Sequence, residues 1–116
     1  MKKLTLFLFI MAAFIACSKQ HEHDGSMKPG HAMISLPTIQ CETCVATIEA
    51  AVKKVAGVTA ISIDLKGKMA HVQYDAAKTD QRKIEMAIAD AGYDANDVKR
   101  NEAAHAKLPA CCQTPR

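Results

Sequence analysis

The sequence predicts an α+β fold in which two helices cover one face of a four-stranded antiparallel sheet. Its length of 116 residues, 49% of them hydrophobic, suffices for one domain and is too short for two substantial ones. Two segments repeat apolar residues at spacings of three and four, which is typical of amphipathic helices, whereas the segments around them alternate apolar and polar residues as strands do. These segments follow one another as strand, helix, strand, strand, helix and strand, the βαββαβ order of a ferredoxin-like sandwich.

The N-terminal residues 1–16 have the composition of a bacterial export signal. Lys2 and Lys3 give a positive start, and the apolar run 4–16 is shorter than the roughly 20 residues that span a membrane. The run ends in Phe-Ile-Ala before Cys17, which resembles the lipobox at which a signal peptidase cuts bacterial lipoproteins. We therefore expect Cys17 to carry a lipid that anchors the protein in the cell envelope, facing the periplasm or the cell exterior. A cleaved signal without lipid and an uncleaved anchor are the alternatives.

Residues 17–32 are predicted to form a flexible tether, because polar residues, Gly and Pro leave little apolar surface to bury. His21, His23 and His31 lie here, together with Met27. Imidazole suits Cu(II) and Zn(II), and thioether sulfur suits Cu(I), so His21 and His23 are candidate accessory metal ligands. Incidental histidines in a solvated linker are the alternative.

The domain is predicted to cover residues 33–99, and it begins with a short strand and a helix. Ile34 and Leu36 alternate with polar or small neighbours, and Pro37 favours an edge position or the end of the strand. A single apolar stripe marks the first helix, and Gly57 ends it. The stripe consists of Val45, Ile48, Val52 and Val55.

Two further strands, a second helix and a last short strand complete the predicted domain. The second and third strands are joined by a tight turn at 66–67. Thr79 or Asp80 is placed to cap the second helix, Gly92 to end it, and the fourth strand is expected over residues 93–99. The apolar residues that mark these elements are Val58, Ile61, Ile63 and Leu65, then Ala70, Val72 and Tyr74, then Ile84, Ala87, Ile88 and Ala91, and last Ala95 and Val98.

The motif Cys41-Glu42-Thr43-Cys44 stands at the predicted junction of the first strand and the first helix. Cys44 falls in the first helical turn, where unpaired N–H groups and the positive end of the helix dipole favour a thiolate. Two thiolates with no fixed third ligand suit soft ions of low coordination number, namely Cu(I) and Hg(II), whereas a closed structural zinc site takes four ligands. Glu42 and Thr43 are expected to be solvent-facing spacers.

The order of elements and the place of this motif resemble the heavy-metal-associated domain, a family that includes bacterial copper chaperones and the periplasmic mercury-binding protein. The resemblance is carried by Cys41-Glu42-Thr43-Cys44, Gly57-Val58 and Asp90-Ala91-Gly92-Tyr93. It implies that the Cys41 and Cys44 thiolates bind a soft metal ion and that Tyr93 lies near the metal loop, where it shields the site, hydrogen-bonds near a thiolate or serves packing. It also implies transfer of the ion to a metal-transporting membrane protein or to another two-thiolate domain.

The predicted function is the binding of a soft heavy-metal ion, with Cu(I) favoured, and its transfer or sequestration in the cell envelope. Hg(II) is the alternative ion, since two thiolates scarcely distinguish it from Cu(I). The net charge of +3 is too small to indicate nucleic-acid binding, and the sequence has no Ser/His/Asp set, paired-carboxylate site or phosphate loop that would indicate an enzyme. Thiol–disulfide exchange by the CxxC motif is the alternative of another class. A monomer is expected, with a metal-bridged dimer as the alternative.

The C-terminal residues 100–116 are predicted to form a flexible tail that carries a vicinal cysteine pair. Cys111 and Cys112 are candidate accessory metal ligands that reach the Cys41/Cys44 site, capture the ion first, or complete a three- or four-thiolate site with His105 nearby. Oxidation of these thiols, or a role in cross-linking the tail or a second chain, is the alternative.

Overall fold

The structure is a computed structural model, and it describes residues 27–113. Its strands are β1 (Pro29–Ser35), β2 (Val58–Asp64) and β3 (Met69–Asp75). Its helices are α1 (Glu42–Lys53), α2 (Gln81–Asp90) and α3 (Glu102–Ala106), followed by a 3-10 helix at Ala110–Cys112. The predicted signal, the lipid site at Cys17 and the histidines His21 and His23 lie outside the described residues.

The sheet is antiparallel with the strand order β1-β3-β2, and its inner face forms the core. Ala32 lies opposite Val72, and Ile34 lies opposite Ala70, so the buried residues of β1 and β3 form cross-strand pairs. Both longer helices pack against this face through side chains that are fully buried. These are Ile48 and Val52 of α1, and Ile84 and Ile88 of α2. The predicted α+β fold, with two helices packed on an antiparallel sheet, is therefore confirmed.

The predicted fourth strand over residues 93–99 is the main difference, because the sheet in the described part of the chain has three strands. The segment forms a single bridge between Ala95 and Val98. Asn96 lies between them with a φ of 52°, a left-handed conformation that Asn tolerates and that turns the chain. Asn96 still pairs with the end of β1, since its N–H donates to the Ser35 carbonyl (3.0 Å) and its side-chain oxygen accepts from the Ser35 N–H (2.8 Å). The two hydrogen bonds of Asn96 thus stand where a fourth strand would have paired with β1.

Strand β1 begins at Pro29, earlier than the start at Met33 that the sequence predicts. The Asp75 carboxylate accepts a hydrogen bond from the Lys28 N–H at 3.1 Å, and the Ala76 N–H donates to the Lys28 carbonyl at 2.7 Å. The start of β1 is therefore held by the far end of β3. As a result His31, which the sequence places in the tether, lies in β1 with its ring centroid 5.9 Å from that of His71.

The C-terminal segment also differs from the flexible tail that the sequence predicts, because it folds onto the end of α2. The Asn101 side chain caps α3, while its N–H donates to the Ala89 carbonyl at 2.8 Å. The Gly92 carbonyl accepts a hydrogen bond from the buried His105 Nδ1 at 2.9 Å. Gly92 has a φ of 102°, a conformation that favours glycine. A Cβ at this position would lie 2.8 Å from the His105 backbone nitrogen, so a larger residue would collide with α3.

Among residues 27–113, every helix is too short or too polar to cross a membrane.

A candidate metal centre

Cys41 and Cys44 lie at the N-terminus of α1, where the sequence places them. Cys41 is the extended residue that precedes the helix, and its carbonyl accepts the N–H groups of Cys44 (3.0 Å) and Val45 (3.3 Å). Its sulfur is 3.4 Å from the Cys44 sulfur. Cys44 is fully buried, whereas Cys41 is partly exposed at the mouth of the site. The start of the helix therefore brings the two sulfur atoms close together.

The tail brings two more sulfur atoms to the same place. The Cys41 Sγ lies 2.8 Å from the Cys111 Sγ and 3.5 Å from the Cys112 Sγ, and the two tail sulfurs are 3.8 Å apart. Cys111 is exposed, whereas Cys112 is fully buried. We call Cys41, Cys44, Cys111 and Cys112 the thiol cluster. All four are reduced, and three of them, namely Cys41, Cys111 and Cys112, have sulfurs within 4.8 Å of one another.

The thiol cluster lowers the pKa of Cys41 from its ordinary 9.0 to about 6. The hydrogen bond with the Cys111 side chain is the largest cause. Burial opposes it, and the Cys44 backbone N–H and the side chains of Cys44 and Cys112 add to it. A thiolate can only accept hydrogen bonds, so Cys111 is the donor once Cys41 has lost its proton. Cys41 is therefore mostly thiolate at neutral pH, the form that binds metal ions and attacks disulfides.

Cys112 and Tyr93 have the opposite tendency, because both are buried beneath the cluster. Burial raises the pKa of Cys112, and hydrogen bonding with Cys44 raises it further. Burial also raises the pKa of Tyr93, with Cys112 as the next cause. The Tyr93 hydroxyl is buried and has no hydrogen-bond partner among residues 27–113, although Cys112 and Thr47 lie beside it. The structure thus places the Tyr93 hydroxyl beside Cys112, at the base of the cluster.

The other candidate residues lie apart from the group of three sulfurs. His105 is buried on α3 and is bonded to the Gly92 carbonyl, so it holds the tail in place. Thr47, which donates to the Thr43 carbonyl at 2.8 Å, is a neighbour of Tyr93 that sequence reasoning missed. Thr47 could have been identified from the sequence, because it lies three residues after Cys44 and therefore on the same face of the helix.

Comparison with known proteins gives a consistent result for the domain. The family model for the heavy-metal-associated domain matches residues 34–94. The mercuric transport protein periplasmic component of an Alcaligenes species is 40% identical over 60 residues, which are 52% of this chain and 66% of that protein. The chain thus spans about two thirds of the length of this curated relative.

Solved structures of similar proteins agree with the fold. Oxidized MerP from Ralstonia metallidurans CH34 has a TM-score of 0.57 and 34% identity, covering 59% of this chain and 94% of that one. The CopZ metallochaperone has a TM-score of 0.56 and 29% identity, covering 57% of this chain and 98% of that one. Since the family model matches more than half of its residues, the chain belongs to the heavy-metal-associated domain family.

Proposed function

We propose that the chain binds one soft heavy-metal ion through the Cys41 and Cys44 thiolates and transfers or sequesters it in the cell envelope. The observation that carries this proposal is the 3.4 Å separation of the two sulfurs at the start of α1. The low pKa of Cys41, about 6, supports it, because the first ligand needs no deprotonation at neutral pH. The ion is cargo, since a partly exposed thiolate can exchange it with another thiol.

The two candidate ions are Cu(I) and Hg(II). Cu(I) is the ion that we favour from the sulfur ligands and their low number. Hg(II) is favoured by the similar proteins, because the relative from the Alcaligenes species is named a mercuric transport protein and MerP has also been solved in a mercury-bound form. The other structure is a CopZ metallochaperone, and its name supports a role in carrying metal ions.

A competition titration tests the proposal. The reduced full chain, with Cys17→Ala in all samples so that its thiol does not compete, is titrated with Cu(I), Hg(II) and Zn(II) against a chelator of known affinity. We expect Cys41→Ser/Cys44→Ser to weaken binding of the soft ions by at least about 100-fold. Loss of a residue that only supports a ligand already lowers metal affinity by up to about 100-fold, and this variant loses two ligands. The matched control, Glu42→Gln/Thr43→Ser, changes the same loop and keeps both sulfurs, so it should bind as the wild type does. Wild-type affinity in the double serine variant would refute the site.

We also propose that the chain is exported and attached to the membrane by a lipid on Cys17, with residues 17–32 as a tether, residues 33–99 as the metal-binding domain and residues 100–116 as its tail. The periplasmic relative supports export. Incorporation of labelled palmitate into the wild type, and its loss in Cys17→Ala, is the expected result. Equal incorporation in both chains would place the lipid elsewhere, and no incorporation in either would leave export without an anchor. The expected partner is a metal-transporting membrane protein, or a second two-thiolate domain.

Thiol–disulfide exchange is the second candidate function, because a thiolate at Cys41 next to the Cys44 sulfur is also a reactive pair. The same samples separate the two functions. A carrier binds the ion tightly and leaves a test disulfide unreduced, whereas an oxidoreductase reduces the disulfide at a rate that Cys41→Ser abolishes. We expect the first result, and therefore a binding protein without catalytic activity.

A further inference from the structure

The two tail cysteines are held beside Cys41 by hydrogen bonds between residues outside the Cys41–Cys44 motif. The tail is fixed to α2 by the Asn101 N–H on the Ala89 carbonyl and by His105 on Gly92. The 3-10 helix packs against α1, and Cys112 is part of the hydrophobic core. The position of the tail thiols therefore follows from the fold, and not from a chance approach of a loose chain end.

The tail also lies outside the part of the chain that matches the family, which ends at residue 94. Its cysteines are therefore additions to the Cys41/Cys44 pair. Cys41 is shared, since its sulfur contacts the Cys44 sulfur and both tail sulfurs.

The sulfur separations of the three grouped cysteines fit a trigonal site better than a linear one. With metal–sulfur bonds of about 2.3 Å, two sulfurs are about 4.6 Å apart in a linear site and about 4.0 Å apart in a trigonal one. The three sulfurs of Cys41, Cys111 and Cys112 are 2.8, 3.5 and 3.8 Å apart. The trigonal site needs the smaller expansion, and exposed Cys111 can supply much of it by rotating its side chain.

We propose that the folded tail, residues 101–112, closes the metal site: the ion that Cys41 and Cys44 bind in a two-thiolate state passes to a three-thiolate site made of Cys41, Cys111 and Cys112, in which Cys44 is no longer a ligand. This inference rests on the proposed function and goes beyond the Cys41/Cys44 pair. The buried Cys112 retains the ion, and the exposed Cys111 is the ligand that an incoming thiol reaches first. The docked tail thereby slows release, and transfer begins at Cys111.

Binding and release are ligand exchanges without a redox step. When the tail takes over the ion, the Cys111 and Cys112 thiols lose their protons to solvent and form metal–sulfur bonds, the bond from Cys44 breaks and the freed Cys44 thiolate takes up a proton, and Cys41 stays bound. When an acceptor thiolate attacks, its sulfur bonds to the ion, the bond from Cys111 breaks, and the freed Cys111 thiolate takes up a proton. The oxidation state of the ion does not change.

X-ray absorption at the metal edge tests the proposal, because it counts the sulfurs around the ion. The full chain in the Cys17→Ala background is loaded with one equivalent of Hg(II), and in a second series with Cu(I). We expect three sulfurs in this chain and two in Cys111→Ala/Cys112→Ala, which keeps only Cys41 and Cys44. Cys44→Ser should still show three, because the proposed ligands all remain.

Release rates give a second readout that does not depend on the spectrum. The time course of transfer to excess dithiol chelator should be roughly 10-fold faster for Cys111→Ser, which keeps the shape of an exposed side chain and removes one ligand. The control Glu42→Gln/Thr43→Ser should release the ion at the rate of the unsubstituted chain. Because Cys111 is exposed, this single variant is expected to fold even if the substitution at Cys112 disturbs the core.

The outcomes separate this inference from the proposed function. Two sulfurs in the unsubstituted chain, or an unchanged release rate in Cys111→Ser, would overturn the three-thiolate site while leaving the Cys41/Cys44 pair intact. Loss of the third sulfur in Cys44→Ser would overturn it as well, because Cys44 would then be a ligand in place of a tail cysteine. Wild-type binding by Cys41→Ser/Cys44→Ser would instead refute the proposed function.

Discussion

At the scale of single residues, Cys41 stands out because three other thiols surround it. Its low pKa depends first on the Cys111 side chain, a residue 70 positions away in the sequence. A cysteine at a helix start is expected to be acidic for local reasons, but this donor comes from tertiary structure. The acidity of Cys41 therefore reports whether the tail is docked.

Alkylation of the metal-free chain should measure this dependence. The rate at which iodoacetamide modifies Cys41, followed by mass spectrometry of its peptide, should reach half of its maximum near pH 6. Cys111→Ala removes the main donor to the thiolate, so the pKa of Cys41 should rise toward 9.0 and the reaction at pH 7 should slow. Cys111→Ser retains a hydroxyl donor and should keep most of the shift. Identical profiles for the Ala and Ser variants would show that the donor has no such role.

Tyr93 offers a second prediction, because its ring is fully buried while its hydroxyl lacks a partner among the described residues. In the metal-free chain, Tyr93→Phe should change the free energy of unfolding by less than about 1 kcal/mol, since the hydroxyl contributes no hydrogen bond there. Tyr93→Ala should cost about 3–5 kcal/mol, because it empties a buried aromatic site. Urea denaturation measures both. A large loss in Tyr93→Phe would mean that the hydroxyl is bonded in solution.

At the scale of elements, the end of α2 joins the domain to the tail. Gly92 has a φ of 102° and leaves no room for a Cβ beside His105. Gly92→Ala should therefore cost about 1–3 kcal/mol through backbone strain and should loosen α3 as well. Hydrogen exchange should rise across residues 101–112 in this variant. Gly67→Ala is the matched control, because an added Cβ there meets the Asp64 side chain, which can move, and its exchange in the tail should stay at the wild-type level.

The elements that the sequence predicts well are those whose residues repeat with a clear period. Helices α1 and α2 and strands β2 and β3 lie where the spacing of buried residues such as Ile48, Ile84 and Val72 places them. The elements that the sequence misses depend on contacts distant along the chain. The start of β1 is held by Asp75, 47 residues beyond Lys28, and the fourth strand is reduced to a bridge by the left-handed backbone of Asn96.

The candidate site shows the same division between local and distant information. The Cys41/Cys44 pair is a local motif at a helix start, so its place could be predicted from the sequence alone. The approach of Cys111 to Cys41 joins residues 70 positions apart, and it requires Gly92, Asn101 and the folding of α3. Nothing in the composition of the tail, which is polar and rich in alanine, indicates that docking.

At the scale of the whole molecule, the sheet and the two longer helices form a base on which four thiols meet from opposite ends of the described chain. Cys41 and Cys44 are set by the start of α1, and Cys111 and Cys112 are set by the tail folded over α2. The pKa of Cys41 is low, and Cys111 is exposed at the surface of the cluster. The proposed function therefore depends above all on ion binding at the Cys41/Cys44 end of the cluster.

An internal competition tests that claim most directly. Equal amounts of the reduced full chain and its Cys41→Ser/Cys44→Ser variant, both with Cys17→Ala, are mixed with half an equivalent of Hg(II) or Cu(I) per total chain, and native mass spectrometry counts the ions on each. We expect the ion to occupy the chain with intact cysteines in preference to the variant by about 100-fold or more. An equal distribution of the ion between the two chains would contradict it.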